Sequence, residues 1–171
     1  TLADLDYNGD IEIVAGAQEV YALQPDGTEF FNGDDDARTL GVLTTTDGPG
    51  YWNSPAVGDV NRDGSPEIAA VSWLGSLYLW DNHGVVKPGF PRNVNVQNRV
   101  DPNPLGSVTM GDIDDDGQLE LFCLVGTILY AFRNDGSELI DGDSNPATVG
   151  VFKLTSTAYS YGTPALADLN G

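Results

Sequence analysis

The chain has 171 residues, enough for one domain of ordinary size, and 40% of them are hydrophobic, too many for a disordered segment. Its 26 acidic residues against 7 basic ones give a formal net charge of −19, which argues against nucleic-acid backbones and anionic membranes as partners. Glycine (21) and proline (10) are frequent and no segment shows the period of an amphipathic helix, so an all-β, turn-rich fold is predicted.

A short strand, Thr1-Leu2-Ala3, leads into a loop in which Asp4, Asp6, Asn8 and Glu12 place oxygen side chains at positions 1, 3, 5 and 9. Gly9 stands at position 6, where the backbone must turn tightly, and Asp10 at position 7. Such alternation suits a hard cation, which takes six to eight oxygens at about 2.3–2.6 Å if it is calcium. Without an ion, carboxylates about 4 Å apart repel by roughly 1–4 kcal/mol per pair. The structural alternative is an Asx-rich turn with no metal, because Asp, Asn and Gly favour turns. A second strand is predicted at Ile11 to Ala15 and a third at Val20-Tyr21-Ala22-Leu23. The turn Pro25-Asp26-Gly27 follows, then a fourth strand near Thr28 to Phe31. Asp34-Asp35-Asp36 reads as a solvated stretch of a long connection, the alternative being a place for an extra ion.

The pattern then repeats. Pro55-Ala56-Val57 leads into Asp59, Asn61, Asp63, Gly64, Ser65 and Glu67, followed by strands at Ile68 to Val71 and Leu77-Tyr78-Leu79-Trp80. Gly84 marks the next turn, and Val85 to Phe90 the predicted fourth strand. Trp80 aligns with Leu23 and Phe132 and is expected in the core between units. Trp73, beside Leu74 in the connection between second and third strands, has two readings, a platform for a sugar ring or simple edge packing; Trp52 has the same two. His83, the single histidine, lies in the Asp81-Asn82-His83-Gly84 turn with no evident partner for catalysis.

In the third unit Ser107 to Met110 leads into Asp112, Asp114, Asp116, Gly117, Gln118 and Glu120. Strands follow at Leu121 to Val125 and Leu129-Tyr130-Ala131-Phe132, then a turn at Gly136 and a fourth strand near Ser137 to Ile140. Cys123, within an apolar strand, is expected to be a buried apolar side chain; as the single cysteine it can form no disulfide within the chain. A fourth copy opens with the strand Pro164-Ala165-Leu166 and the loop residues Asp168, Asn170 and Gly171.

The loops start at residues 4, 59, 112 and 168, so the repeat is 55, 53 and 56 residues long, with units at about 1–53, 54–106, 107–162 and 163–171 of a single repeat domain. An EF-hand is excluded because position 12 is Ala15, Ala70 or Cys123 instead of a bidentate Glu, and strand-like runs follow each loop. Four antiparallel strands per unit indicate β-propeller blades: three, plus the first strand of a fourth. Closed propellers have four to eight blades, so the chain reads either as a piece of a longer propeller or as one of several chains completing a ring.

The loop segments 4–13, 59–68 and 112–121 resemble FG-GAP/VCBS repeats, the blade type of integrin α subunits and of many secreted bacterial proteins. The resemblance covers essentially the whole chain. It implies calcium in the loop between the first two strands, held by side chains at positions 1, 3, 5 and 9 and by the position-7 carbonyl, here that of Asp10, Ser65 or Gln118. Glu at position 9 departs from the Asp usual in integrins.

No catalytic constellation stands out, and the regularly placed carboxylates are accounted for by the loops. The expectation is a non-catalytic, extracellular module with about three structural calcium ions, serving adhesion, surface attachment or scaffold assembly through a protein or glycan ligand. The alternative is a carbohydrate-binding propeller, a lectin or the ancillary part of a polysaccharide-degrading enzyme. No apolar run reaches the 18 residues of a membrane-spanning helix.

Overall fold

The computed structural model describes residues 1–44, 50–51, 53–94, 106–154 and 162–167. These form three antiparallel sheets of four strands each, with no helix among the described residues. The first sheet holds β1 (Leu2–Ala3), β2 (Glu12–Gly16), β3 (Val20–Leu23) and β4 (Val42–Thr44). The second holds β5 (Ala56–Gly58), β6 (Glu67–Val71), β7 (Ser76–Trp80) and β8 (Arg92–Asn93). The third holds β9 (Val108–Gly111), β10 (Glu120–Val125), β11 (Ile128–Phe132) and β12 (Val151–Leu154). In each sheet the strands lie in sequence order, an open meander that needs only local turns.

The register ties each acidic loop to its sheet. Ala3 pairs with Glu12, Gly58 with Glu67 and Gly111 with Glu120, so the position-9 glutamate begins the second strand opposite the residue that precedes position 1. The second and third strands then pair as Ile13 with Leu23, Ile68 with Trp80 and Leu121 with Phe132.

The fourth strand lies later than predicted. Around Thr28–Phe31, Val85–Phe90 and Ser137–Ile140 the chain makes only the single bridges Leu23–Glu29, Trp80–Val86 and Phe132–Glu138. The third strand's remaining donors decide the matter, since a buried N–H must find an acceptor. The Ala22 and Ala131 N–H groups donate to the carbonyls of Gly41 and Gly150, which start the segments that become β4 and β12. Between the bridge and the strand, units one and three insert matching turns. Asp34 accepts from Asp36 N–H and Thr39 Oγ1, and Asp143 from Asn145 N–H and Thr148 Oγ1. The Asp34–Asp36 stretch is thus a self-satisfied turn, with Arg38 paired to Asp36 at 2.7 Å. The other displaced expectation is Pro164–Leu166, which forms no strand among the described residues. It lies against β9, where Thr109 Oγ1 donates to the Pro164 carbonyl at 2.6 Å.

Two apolar cores join the sheets. Leu5, Val14, Val20, Ala22 and Leu43 of the first unit meet Ile68, Ala70, Tyr78 and Trp80 of the second. Ala69, Val71, Leu77 and Leu79 of the second meet Leu121, Cys123, Tyr130 and Phe132 of the third. Trp80 is fully buried, stacked on Tyr78 at 5.1 Å and touched edge-on by Tyr51 at 5.7 Å, as the sequence predicts for a core position. Burying one such side chain contributes roughly 1.5–3 kcal/mol. The near-continuous apolar run of the second strand predicts cover on both faces. That holds for β6 and nearly for β10, but β2 alternates, with Ile13 42% exposed, because no described residue covers that face.

Candidate metal centre

Three loops of one backbone shape connect the first and second strands. Position 4 has positive φ in each, at Tyr7 (55°), Arg62 (59°) and Asp115 (60°), and so does the position-6 glycine, at Gly9 (96°), Gly64 (86°) and Gly117 (90°). The left-handed conformation is easy for glycine but costs a tyrosine or arginine about 1–2 kcal/mol. The loops' own side-chain hydrogen bonds hold it. The position-1 aspartate caps the turn: Asp4 accepts from the Asn8 and Gly9 N–H groups, Asp59 from Asp63 and Gly64, and Asp112 from Gly117. The position-5 side chains Asn8, Asp63 and Asp116 accept the N–H of Asp10, Ser65 and Gln118, the position-7 residues.

At position 9, Glu12, Glu67 and Glu120 are almost completely buried, and each has one carboxylate oxygen bound by the position-2 N–H, that of Leu5 (2.7 Å), Val60 (3.0 Å) or Ile113 (3.0 Å). The loops then diverge. In the first, oxygens of Asp4, Asp6 and Glu12 lie within 4.8 Å of one another, and Glu12 Oε1 is buried without a hydrogen-bond partner among the described residues. In the third, Asp112, Asp114 and Asp116 form such a trio, and Asp112 Oδ1 is likewise buried without a partner. Burial pushes the Glu120 carboxyl above the usual range; the Ile113 N–H opposes this, while Asp114, Asp116 and Asp112 add to it.

In the second loop no trio of acidic oxygens comes so close among the described residues. Asn61, which replaces an aspartate at position 3, donates to Asp63 and is the largest influence holding the Asp63 carboxyl below its usual range, with help from the Ser65 N–H and Lys87. Lys87 Nζ donates to Glu67 Oε1 at 2.7 Å and lies 3.9 Å from Asp63. Burial opposes the ammonium's charge, but Glu67, Asp63 and Asp81 outweigh it and leave its pKa raised.

The donor set fits a hard cation in the first and third loops: oxygen ligands only, several charged, with buried carboxylate oxygens left over. Asp4, Asp6, Asn8 and Glu12, or Asp112, Asp114, Asp116 and Glu120, would hold the ion, which would supply the missing positive charge. Asp168 and Asn170 of the fourth loop lie outside the described residues, as does Trp52. Trp73 sits half-buried in the turn between β6 and β7, its N–H bound to the Gly50 carbonyl at 2.9 Å, beside exposed Leu74. His83 meets Phe31 edge-on at 5.0 Å. Cys123 is fully buried, and burial pushes its thiol up to about 12, as befits an apolar strand residue.

Sequence reasoning attended to the acids and missed the bases around them: Lys87, Arg133 against Asp114 at 3.3 Å, and Arg62, which lies over Gly117. It also missed the latch between neighbouring units, in which Asn82 Nδ2 donates to the Leu5 carbonyl and Asn134 Nδ2 to the Val60 carbonyl. Aligning the three turn glycines supplies the signal for the latch, since both asparagines stand two residues before one; Pro25 holds that place in the first unit. No protein-family model matches the chain, and no curated protein matches it.

Proposed function

We propose that the three sheets are blades of a calcium-stabilised β-propeller module of the FG-GAP/VCBS type, acting outside the cell as a non-catalytic binding scaffold. The observation that carries this reading is Glu12. A carboxylate with no exposed surface, one oxygen unpartnered and two further carboxylates within 4.8 Å is a costly arrangement that a divalent cation in the loop would relieve. The recurrence of the loop backbone and its register at 53- to 55-residue intervals supports blades of one design. Calcium is structural here: it binds the folded loop and stabilises it by linkage, about 2.7 kcal/mol per site at a hundred times the Kd. Millimolar calcium outside cells is the ground for the extracellular location. The exposed face of β2 supplies a surface for a further blade, from the same chain or from a second copy.

Native mass spectrometry in calcium, and again after chelation, tests the reading. Bound ions lost together with the folded charge states support it; a metal-free chain at millimolar calcium overturns it. A glycan ligand is the second reading, motivated by half-buried Trp73 beside Leu74 at a turn. Glycan-array binding abolished in Trp73→Ala would favour it, and an array without hits would end it.

A further inference from the structure

The second loop carries its own positive charge. At the place three residues after each turn glycine, units one and three have Phe30 and Leu139, and unit two has Lys87. The slot is the same in all three, because the backbone N–H there donates to the middle of the third strand: Phe30 to Ala22, Lys87 to Leu79, Leu139 to Ala131. Two of the side chains pack with apolar neighbours. Lys87 instead runs to the floor of its loop, where its ammonium reaches Glu67 at 2.7 Å and Asp63 at 3.9 Å, with its side chain 24% exposed. Glu67 therefore has both oxygens satisfied, by Val60 N–H and by Lys87, whereas the equivalent Glu12 has one left over. Among the described residues no basic group lies within ion-pair distance of Glu12 or Glu120. Arg133 touches the third loop only at Asp114, in a pair whose side chains are 40% and 35% exposed and which water screens. An ammonium on a flexible stem can compensate buried carboxylates as a small cation does, but it brings donors only and leaves when a stronger cation arrives.

We propose that Lys87 is the resident cation of the second loop, and that a divalent ion enters this loop only by displacing its ammonium from Glu67 and Asp63. The proposal rests on reading the loops as calcium sites and makes them unequal. The first and third depend on the ion; the second is built to stand without it.

The test is a calcium titration of the full chain followed by native mass spectrometry, with Lys87→Met beside the wild type. At calcium that loads the wild type with two ions, Lys87→Met carries three, because the second loop's affinity rises roughly ten- to hundredfold, the worth of one charge-assisted hydrogen bond no longer to be broken. Lys87→Met/Asp59→Asn returns to two, which assigns the added ion. In chelator Lys87→Met melts below the wild type, because Glu67 is left buried with an unpartnered oxygen, and calcium closes the gap. Where Lys87→Met does not fold in chelator, Lys87→Met/Glu67→Gln does, since the second loop then holds no unpaired buried carboxylate. Equal ion counts in both proteins with the first and third loops loaded, or equal melting in chelator, overturn the proposal alone. No ion on either protein overturns the calcium reading and this proposal with it.

Discussion

Replacing Glu12 by Gln keeps the side chain's size and an acceptor for the Leu5 N–H while removing one negative charge from the floor of the first loop. Oxygens of Asp4 and Asp6 lie within 4.8 Å of that charge. One such pair repels by about 0.9 kcal/mol at the dielectric of water and about 3.5 kcal/mol at an effective value of about 20. Asp4 is half-buried and Asp6 exposed, so the low end applies, roughly 2 kcal/mol over the two pairs. Against this, the bond from Leu5 becomes a neutral one, a loss of about 1 kcal/mol. Chelated Glu12→Gln is therefore about 1 kcal/mol more stable than the wild type, a rise in Tm of roughly 2–4 °C for a chain of this size. With the first loop as the proposed calcium site, the order is expected to reverse in calcium, because the variant would give up most of the gain from that site, about 2.7 kcal/mol at a hundred times the Kd. Thermal denaturation in chelator and in millimolar calcium reads both signs. A variant less stable in both buffers, or one with an undiminished calcium shift, would refute the reasoning.

Gly27→Ala and Gly84→Ala differ though both glycines have positive φ, 83° and 79°. At Gly27 a methyl group meets nothing, so only backbone strain of about 1–2 kcal/mol is expected. At Gly84 it overlaps the Leu43 carbonyl of the first sheet and the loss reaches roughly 2–5 kcal/mol; equal losses by denaturant titration would contradict the contact. Cys123 stays unreactive toward thiol reagents at pH 8 until the protein unfolds. With its pKa raised to about 12, its contribution to stability is intact below the unfolded thiol's value and is lost as pH rises above it, by up to about 1.4 kcal/mol per pH unit, a slope absent in Cys123→Ala. With Leu2 68% and Ile13 42% exposed on the apolar face of the first sheet, the chain is expected to self-associate. Sedimentation velocity should show concentration dependence that Ile13→Lys reduces; a monomer at every concentration in both would count against it.

Sequence made the loops and the first three strands of each unit legible because their signals are local: alternating oxygens with glycine at position 6, then apolar runs ending at a turn glycine. The fourth strand escaped for a reason of the same kind. Gly27, Gly84 and Gly136 do mark turns, yet the residues after them bridge only once, and the third strand's next donors are claimed from farther along. Gly41-Val42 and Gly150-Val151, two matching glycine–valine pairs entering strands, were the available sign. The inequality of the three loops was visible as Asn61 in place of an aspartate at position 3 and as a lone lysine at a place its sister units fill with Phe30 and Leu139. Its meaning needs the tertiary path from that place to Glu67.

The loops bear on the packing of the sheets through one peptide each. The position-2 residue gives its N–H to the buried glutamate of its own loop and, in the first two loops, its carbonyl to the asparagine of the next unit: Leu5 to Glu12 and Asn82, Val60 to Glu67 and Asn134. The Val60 carbonyl also accepts the Leu119 N–H at 3.0 Å; the residue aligned with Leu119 in the second unit is Pro66, which has no N–H, so among the described residues Asn82 alone serves the Leu5 carbonyl. Side chains of the same two residues, Leu5 and Val60, are fully buried in the inter-sheet cores. A cation that fixes Glu12 would thereby fix the Leu5 peptide and the contact with the second sheet, while in the second loop Lys87 does the same for Val60 and the third sheet without any ion. Chelation should then loosen the junction of the first and second sheets more than that of the second and third, a gradient along the chain that no count of acidic residues implies.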